Sequence, residues 1–179
     1  MVRDRHRVAG ALLVGGASTR FGSPKALAVF EGETLAERAY RVLTEAFERV
    51  IVVGKAKDGL ALPFPVLDDG SDTRAAIVGV AAALRLSDAE RVVVLPTDMP
   101  FVTPELLLAL AEASEGVGAA VPHTGPLPGA YARSALPELE RRIATGDLAL
   151  YRACVELEPR ILRWDKAALR NVNEPGDLR

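Results

Sequence analysis

Cysteine and histidine are scarce in this sequence. Cys154 is the only cysteine, and His6 and His123 are the only histidines. A single cysteine cannot form an intramolecular disulfide, and three residues of these two types, far apart in the sequence, are too few for a zinc site built from them. The apolar helical pattern around Cys154 predicts a small core residue rather than a nucleophile.

Long apolar runs are also absent. No stretch approaches the ~20 residues that a membrane helix needs, and the charged start of the chain lacks the apolar run of a signal peptide. We therefore expect a cytoplasmic protein. The formal net charge of -2 gives no overall attraction to nucleic acid or to an anionic membrane, so any anion site must be local. Arg141 and Arg142 are expected on a solvated helix face rather than in a patch for a partner.

Apolar residues make up 49% of the chain and alternate between strand-like runs and helical patterns. Strands are predicted over 7–14, 49–54 and 91–96, with shorter ones at 116–122 and 129–133. Helices are predicted over 33–48, 75–87, 102–114, 135–146 and 148–158, the first with a capping box of Thr34 and Glu37. The alternation predicts one α/β domain over residues 1–179, with a largely parallel sheet covered by helices on both faces. Ligands bind such sheets beyond the carboxyl ends of the strands.

A glycine-rich loop follows the first predicted strand, in the segment LLVGGASTRFGSPKA at 12–26. Gly15 and Gly16 allow the backbone to approach a ligand closely, and successive amides can cradle an anion. Arg20 and Lys25 would add full positive charges, which favours a polyphosphate. The spacing fits neither the P-loop nor the dinucleotide fingerprint. An ordinary tight turn with solvated cations stays open as an alternative.

An acidic turn follows the third predicted strand, where Asp98 lies between Pro96 and Pro100. Magnesium in proteins is held by one or two carboxylates together with substrate phosphates. Asp98 is therefore a candidate magnesium ligand at the same sheet edge as the glycine loop. The alternative is an aspartate that only stabilises the turn.

Five segments in order resemble one enzyme family: LLVGGASTRFGSPKAL, DDGSDTRAAIVGV, TDMPFVTPELL, PLPGAYAR and NVNEPGDL. The chain is similar, over almost its whole length, to the nucleotidyltransferases of molybdenum cofactor biosynthesis, and most of all to the guanylyltransferases among them. The resemblance implies a Rossmann-like, mostly parallel fold in three α/β/α layers, of the nucleotide-diphospho-sugar transferase type. It further implies dependence on Mg²⁺ and transfer of GMP from GTP to the terminal phosphate of molybdenum-molybdopterin, with release of pyrophosphate. It also implies small-molecule substrates and transient docking with proteins that deliver or insert the cofactor.

The resemblance assigns roles to individual positions. Arg20 and Lys25 would contact the triphosphate, and Asp98 would hold the metal; these three are the expected catalytic residues. The expected nucleotide-binding residues are Leu13, Val14, Gly15, Gly16, Lys25, Asp69, Gly79 and Asp98. The expected acceptor-binding residues are Pro126, Leu127, Pro128, Asn171 and Asn173. The Gly15–Gly16 pair favours guanine, since related cytidylyltransferases usually carry alanine-glycine.

The sequence departs from the family pattern at four positions. Pro24 replaces an aspartate, Ala75 and Ala76 replace a glycine-proline pair, and Glu174 replaces a threonine. Arg74 is a candidate for an extra phosphate contact beside the altered pair. Three alternatives remain: cytidylyl transfer to the same acceptor, nucleotidyl transfer to a sugar or alcohol phosphate, and a nucleotide-binding module without catalysis.

Overall fold

The computed structural model describes residues 7–15 and 24–178. Its strands are β1 (Val8–Leu13), β2 (Val29–Phe30), β3 (Glu33–Thr34), β4 (Val50–Gly54), β5 (Leu67–Asp68), β6 (Arg91–Pro96), β7 (Ala119–Pro122), β8 (Gly129–Ala132) and β9 (Arg160–Leu162). Its α-helices are α1 (Leu35–Ala46), α2 (Ala76–Leu86), α3 (Pro104–Ala113), α4 (Leu136–Ala144) and α5 (Leu150–Glu156). Short 3₁₀ helices cover Lys25–Leu27, Ala56–Asp58, Arg133–Ala135 and Pro175–Leu178. None of the helices in the described ranges has the length and apolar character needed to cross a bilayer.

Seven strands form one sheet in the order β5-β4-β1-β6-β8-β7-β9. The four strands from β5 to β6 are parallel neighbours, and β9 runs parallel to β7. Within this sheet, β8 is antiparallel to both of its neighbours, so the prediction of a mostly parallel sheet is confirmed. The prediction missed β5 and β9, which have two and three residues, and the small hairpin of β2 and β3.

Helices cover both faces of the sheet, as the three-layer prediction requires. Along β6, Val93 and Leu95 belong to the core cluster that contains residues of α1 and α3. Val92 and Val94 face the other way, into the cluster with residues of α2, α4 and α5. Burial on both faces explains why β6 is a continuous apolar run rather than an alternating one.

The start of α1 confirms the predicted capping box. The Glu37 amide donates to Oγ1 of Thr34 at 3.1 Å, and the Thr34 amide donates to Oε2 of Glu37 at 2.9 Å. Cys154 is buried, also as predicted, and its burial raises the pKa of the thiol, which agrees with a core residue rather than a nucleophile.

The expectation of a solvated helix face is wrong for Arg142. Its side chain is only 8% exposed, and its guanidinium contacts the carboxylates of Glu138 at 2.7 Å and Asp147 at 2.5 Å. Arg141, by contrast, is 58% exposed. The apolar pattern of α4 could not reveal the difference, because Arg142 is neutralised by an acid on its own helix and by another in the following loop.

Candidate functional site

A cleft of about 1340 Å³ opens at the carboxyl ends of β4, β1 and β6. Its walls come from residues at these strand ends, the segment that enters α2, the loop between β7 and β8, and the chain segment 169–173. The cleft lies where open parallel sheets bind their ligands. Both polar motifs found in the sequence lead into it, because each follows one of the buried central strands.

Most of the residues expected to form the site line this cleft together: Leu13, Val14, Gly15, Lys25, Asp69, Gly79, Asp98, Pro126, Leu127, Asn171 and Asn173. Pro128 belongs to the same loop as Pro126 but is buried and is not part of the lining. Gly16 and Arg20 lie outside the described residues. The roles assigned to these positions stay predictions, whereas their meeting in one cleft is a feature of the fold.

Lys25 and Asp98 form an ion pair in the middle of the cleft. Nζ of Lys25 lies 3.6 Å from Oδ2 of Asp98, with the two side chains 16% and 29% exposed. The two residues meet because β1 and β6 are adjacent and parallel, with Leu13 opposite Pro96. The separation of these two atoms exceeds hydrogen-bond length, so the ammonium group and the carboxylate are not joined to each other by a tight hydrogen bond.

The chain segment 169–173 is hydrogen-bonded to the turn that carries Asp98. The Val172 amide donates to the carbonyl of Asp98 at 2.8 Å, and Val172 itself is buried. Oδ2 of Asp177 accepts from the amides of Asn173 and Glu174 at 2.7 and 2.9 Å. These bonds place Asn171 and Asn173 on the cleft wall beside Asp98.

A second ion pair, which the sequence reasoning missed, is built into the opposite wall. Nζ of Lys55 donates to both carboxylate oxygens of Asp69, at 2.9 and 2.7 Å, and to the carbonyl of Ser71 at 2.6 Å. The two side chains are only 6% and 9% exposed. Asp69 also accepts from the Ser71 amide at 3.0 Å. The sequence did contain a signal for this pair. Lys55 comes directly after the buried run of β4, and a charged residue at that position lies at the ligand-binding edge of the sheet.

A third pair joins Asp58 and Arg74, which both line the cleft. The guanidinium of Arg74 donates to the two oxygens of Asp58 at 2.8 and 2.5 Å. This hydrogen bonding lowers the pKa of Asp58, so the carboxylate is charged at neutral pH. Arg74, a candidate phosphate contact from the sequence, therefore has its charge compensated by Asp58.

The two halves of the cleft differ in charge. The half at β4 and β5 holds the two compensated pairs Lys55–Asp69 and Asp58–Arg74. The half beyond β6 is lined by Thr124, Gly125, Pro126, Leu127, Leu169, Asn171 and Asn173, and none of these described residues is charged. The 126–129 loop is closely packed, since the Tyr131 hydroxyl donates to the Pro126 carbonyl at 2.6 Å and a Cβ at Gly129 would lie 2.4 Å from the same oxygen.

The model of one protein family, described as the MobA-like NTP transferase domain, matches residues 10–160. The chain belongs to this family. Its resemblance to the nucleotidyltransferases of molybdenum cofactor biosynthesis is thereby confirmed, and so is the prediction that it is an enzyme of the nucleotidyltransferase class. The predictions of one domain over residues 1–179, of a cytoplasmic location and of docking to delivery proteins stay predictions.

Relatives within the family are similar to the chain over most of their length. A protein of Opitutus terrae, named probable molybdenum cofactor guanylyltransferase, is 35% identical over 196 residues, which cover 99% of this chain and 96% of that protein. A protein of Pelotomaculum thermopropionicum with the same name is 32% identical over 182 residues, covering 94% and 89% of the two chains.

Solved structures give the same fold. Molybdopterin-guanine dinucleotide biosynthesis protein A from Archaeoglobus fulgidus superposes with a TM-score of 0.82 at 30% identity, over 95% of this chain and 94% of that one. The 2-C-methyl-D-erythritol 4-phosphate cytidylyltransferase of Thermus thermophilus superposes with a TM-score of 0.72 at 21% identity, over 95% of each chain. The predicted nucleotide-diphospho-sugar transferase fold is confirmed by these neighbours.

Proposed function

We propose that the protein transfers GMP from GTP to the terminal phosphate of molybdenum-molybdopterin and releases pyrophosphate. The observation that carries this proposal is the Lys25–Asp98 ion pair, which lies between a charge-compensated half and an uncharged half of one cleft. A cation and a carboxylate at the junction of two subsites suit a reaction between two phosphates. The names of the relatives, guanylyltransferases, supply the base and the acceptor.

The uncharged half of the cleft supports a bulky, heterocyclic acceptor. Its wall combines apolar side chains such as Leu127 and Leu169 with the amide side chains of Asn171 and Asn173. Amides can pair with ring nitrogen and oxygen atoms, whereas apolar groups cover ring faces. A sugar phosphate, with many hydroxyl groups, would find fewer polar partners on the described part of this wall.

The residues present fit a magnesium ion held mainly by the substrates. Among the described residues, no group of three or more His, Cys, Asp or Glu side chains is placed to hold a metal. Asp98 offers one partly exposed carboxylate in the cleft, which is the usual share of protein ligands when phosphates complete the coordination. Mg²⁺ bound there would supply charge neutralisation at the phosphates.

The chain's own contribution is positioning and charge stabilisation. An oxygen of the acceptor phosphate forms the new bond to the α-phosphorus, and the bond from that phosphorus to the bridging oxygen of pyrophosphate breaks. The acceptor phosphate is ionised at neutral pH, so no side chain has to remove a proton. The ammonium group of Lys25 stabilises the negative charge that moves onto the departing pyrophosphate, with Arg20 as the second cation proposed for this task.

The test is pyrophosphate release by the purified protein with Mg²⁺ and molybdenum-molybdopterin. GTP and CTP are compared in parallel, and a reaction without acceptor is the control. Release with GTP alone, and only when acceptor is present, is the expected result. Release of pyrophosphate with CTP instead of GTP would show that the protein is a cytidylyltransferase. No release with either nucleotide, in the presence of a competent acceptor, would overturn the proposal.

A further inference from the structure

One hydrogen bond joins the protein core to the uncharged wall of the cleft. The hydroxyl of Tyr131 donates to the carbonyl of Pro126 at 2.6 Å, and Tyr131 is fully buried. Pro126 and the next residue, Leu127, line the cleft. A buried side chain on β8 is therefore bonded to the backbone of a loop that forms part of the cleft wall.

The place of β8 in the sheet explains how a core residue reaches this wall. β8 is antiparallel to β6, with Gly129 opposite Val94, so β8 begins at the edge of the sheet where β6 ends. Tyr131 belongs to the core cluster with residues of α2, α4 and α5, while its hydroxyl reaches back to the loop before β8. Gly129 permits this approach, because a Cβ there would lie 2.4 Å from the Pro126 carbonyl oxygen and 2.9 Å from the Tyr131 ring.

The loop itself offers few backbone donors. Residues 126 and 128 are prolines, which lack the amide hydrogen that other residues donate. The Gly125 amide donates to the carbonyl of Pro122 at 3.2 Å, which closes the first part of the loop but does not involve Pro126 or Leu127. The Tyr131 hydroxyl supplies a donor to this second part from outside the loop, so the position of the cleft-lining residues depends on it.

The hydroxyl is a permanent donor. Burial raises the pKa of Tyr131 well above its usual value, so the phenol keeps its proton throughout the neutral pH range. A buried hydroxyl is costly unless it is hydrogen-bonded, and a phenylalanine would fill the same space in the core without that cost. The bond to Pro126 is the interaction that a phenylalanine at this position would lack.

We propose that Tyr131 is a positioning residue for the acceptor substrate, because its hydroxyl fixes the loop wall of Pro126 and Leu127 that the acceptor contacts. The inference rests on the proposed function, which places the acceptor in the uncharged half of the cleft. Tyr131 does not line the cleft and acts only through the loop. Without its bond, the loop populates conformations that do not bind the acceptor, and the apparent affinity falls with the fraction of competent loop.

The experiment compares Tyr131→Phe with the wild type, because this substitution keeps the ring in the core and removes only the hydroxyl. Initial rates of pyrophosphate release by the full chain with Mg²⁺ give the KM for molybdenum-molybdopterin and the KM for GTP. Hydrogen–deuterium exchange, measured by mass spectrometry without substrates, reports the order of the loop independently of turnover.

Two control variants separate the proposed effect from other consequences of the substitution. Tyr151→Phe is the same change on α5, at a tyrosine that is 67% exposed and does not line the cleft. Leu110→Val shortens a fully buried side chain on α3, in the core cluster on the other face of the sheet. It should lower the melting temperature by a few degrees, about as much as the loss of one buried hydrogen bond in Tyr131→Phe.

Tyr131→Phe is expected to raise the KM for the acceptor about three- to tenfold, the cost of one net hydrogen bond. The KM for GTP should stay within about twofold of the wild-type value, because the residues expected to bind the nucleotide lie on other elements. The amides of Gly125 and Leu127 should exchange faster than in the wild type. Both control variants should keep the wild-type KM values and the wild-type exchange of the loop.

The inference is overturned if Tyr131→Phe keeps the wild-type KM for the acceptor or the wild-type exchange of the loop. It is equally overturned if both KM values rise together, or if Leu110→Val raises the acceptor KM as much as Tyr131→Phe, since the role of Tyr131 would then be one of stability alone. Failure of the proposed function looks different, because the wild type itself would release no pyrophosphate from GTP with the acceptor.

Discussion

Nζ of Lys25 lies 3.6 Å from Oδ2 of Asp98 at the junction of the two halves of the cleft. Each group neutralises the other in the described structure, yet neither makes a tight hydrogen bond to the other. The two groups can therefore separate when ligands bind. A phosphate can then bind the ammonium group of Lys25, and a metal ion can bind the carboxylate of Asp98. Both turnover and metal binding should depend on this relationship.

Loss of either member of the pair should abolish most of the turnover. Lys25→Ala and Asp98→Ala are each expected to lower kcat by ~10²–10³, the usual cost of removing one preorganised electrostatic partner. Asp88→Ala is the control, because Asp88 is exposed and pairs with Arg49 away from the cleft. Initial rates of pyrophosphate release measure the effect, and circular dichroism checks the fold. Near wild-type turnover in one variant would remove that residue from the mechanism.

Metal binding should depend on nucleotide. In the nucleotide-free protein, the ammonium group of Lys25 lies where it repels a cation from Asp98, so Mn²⁺ used as a probe for Mg²⁺ is expected to bind weakly. GTP draws Lys25 to its phosphates and adds oxygen ligands, which should raise the Mn²⁺ affinity. Electron paramagnetic resonance of free Mn²⁺ measures both affinities.

The matched variant for metal binding is Lys25→Met. Removal of the ammonium charge should raise the Mn²⁺ affinity of the nucleotide-free protein and reduce the additional gain from GTP. Equal Mn²⁺ affinities of wild type and Lys25→Met without nucleotide would show that the ion pair does not control the metal.

The meeting of Lys25 and Asp98 could be predicted from the sequence, because it depends on strong local signals. Two buried apolar runs, each with a polar motif after it, become β1 and β6, and because these strands are parallel, the two motifs reach the same edge of the sheet. The fold class could be predicted from the same alternation of elements.

The other ion pairs could not be predicted, since they depend on short or irregular elements. The contact of Lys55 with Asp69 requires the pairing of β4 with β5, a strand of two residues that lacks a periodic pattern. Asp58 and Arg74 meet across two loops and are 16 residues apart in sequence. The buried Arg142 is paired with Glu138 on its own helix and with Asp147 in the following loop. Such contacts are set by tertiary geometry rather than by local pattern.

The buried Lys55–Asp69 pair should contribute strongly to stability. Lys55→Met leaves the Asp69 carboxylate buried without its partner, and breaking such a pair typically costs about 3–5 kcal/mol. Lys57→Met, two residues away, removes the exposed pair with Asp72 and should change the free energy of unfolding by less than about 0.5 kcal/mol. Urea unfolding of the two variants gives the comparison, and equal losses would contradict this account.

Glycine at position 54 should be required for the packing of β4 against β1. A Cβ built there would lie 2.5 Å from the carbonyl oxygen of Val14, a backbone atom that cannot rotate away. Gly54→Ala is therefore expected to destabilise the protein by about 1–3 kcal/mol. At Gly118, the closest atoms would lie at an ordinary contact distance of 3.5 Å, so Gly118→Ala is the control in denaturant unfolding. A Gly54→Ala variant as stable as Gly118→Ala would contradict the prediction.

The acid dependence of stability should include a contribution from Glu138 on α4. Hydrogen bonds from Arg141 and then Arg142 lower the pKa of this carboxyl from 4.5 to about 2. Because the folded-state pKa is the lower one, the stabilisation is fully present above the unfolded pKa and is lost as the pH falls towards about 2.

The difference in unfolding free energy between wild type and Glu138→Gln should therefore be constant from pH 7 to about pH 5 and shrink at lower pH. Urea titrations across this range measure it. A wild-type to Glu138→Gln difference that does not vary with pH would contradict the assignment.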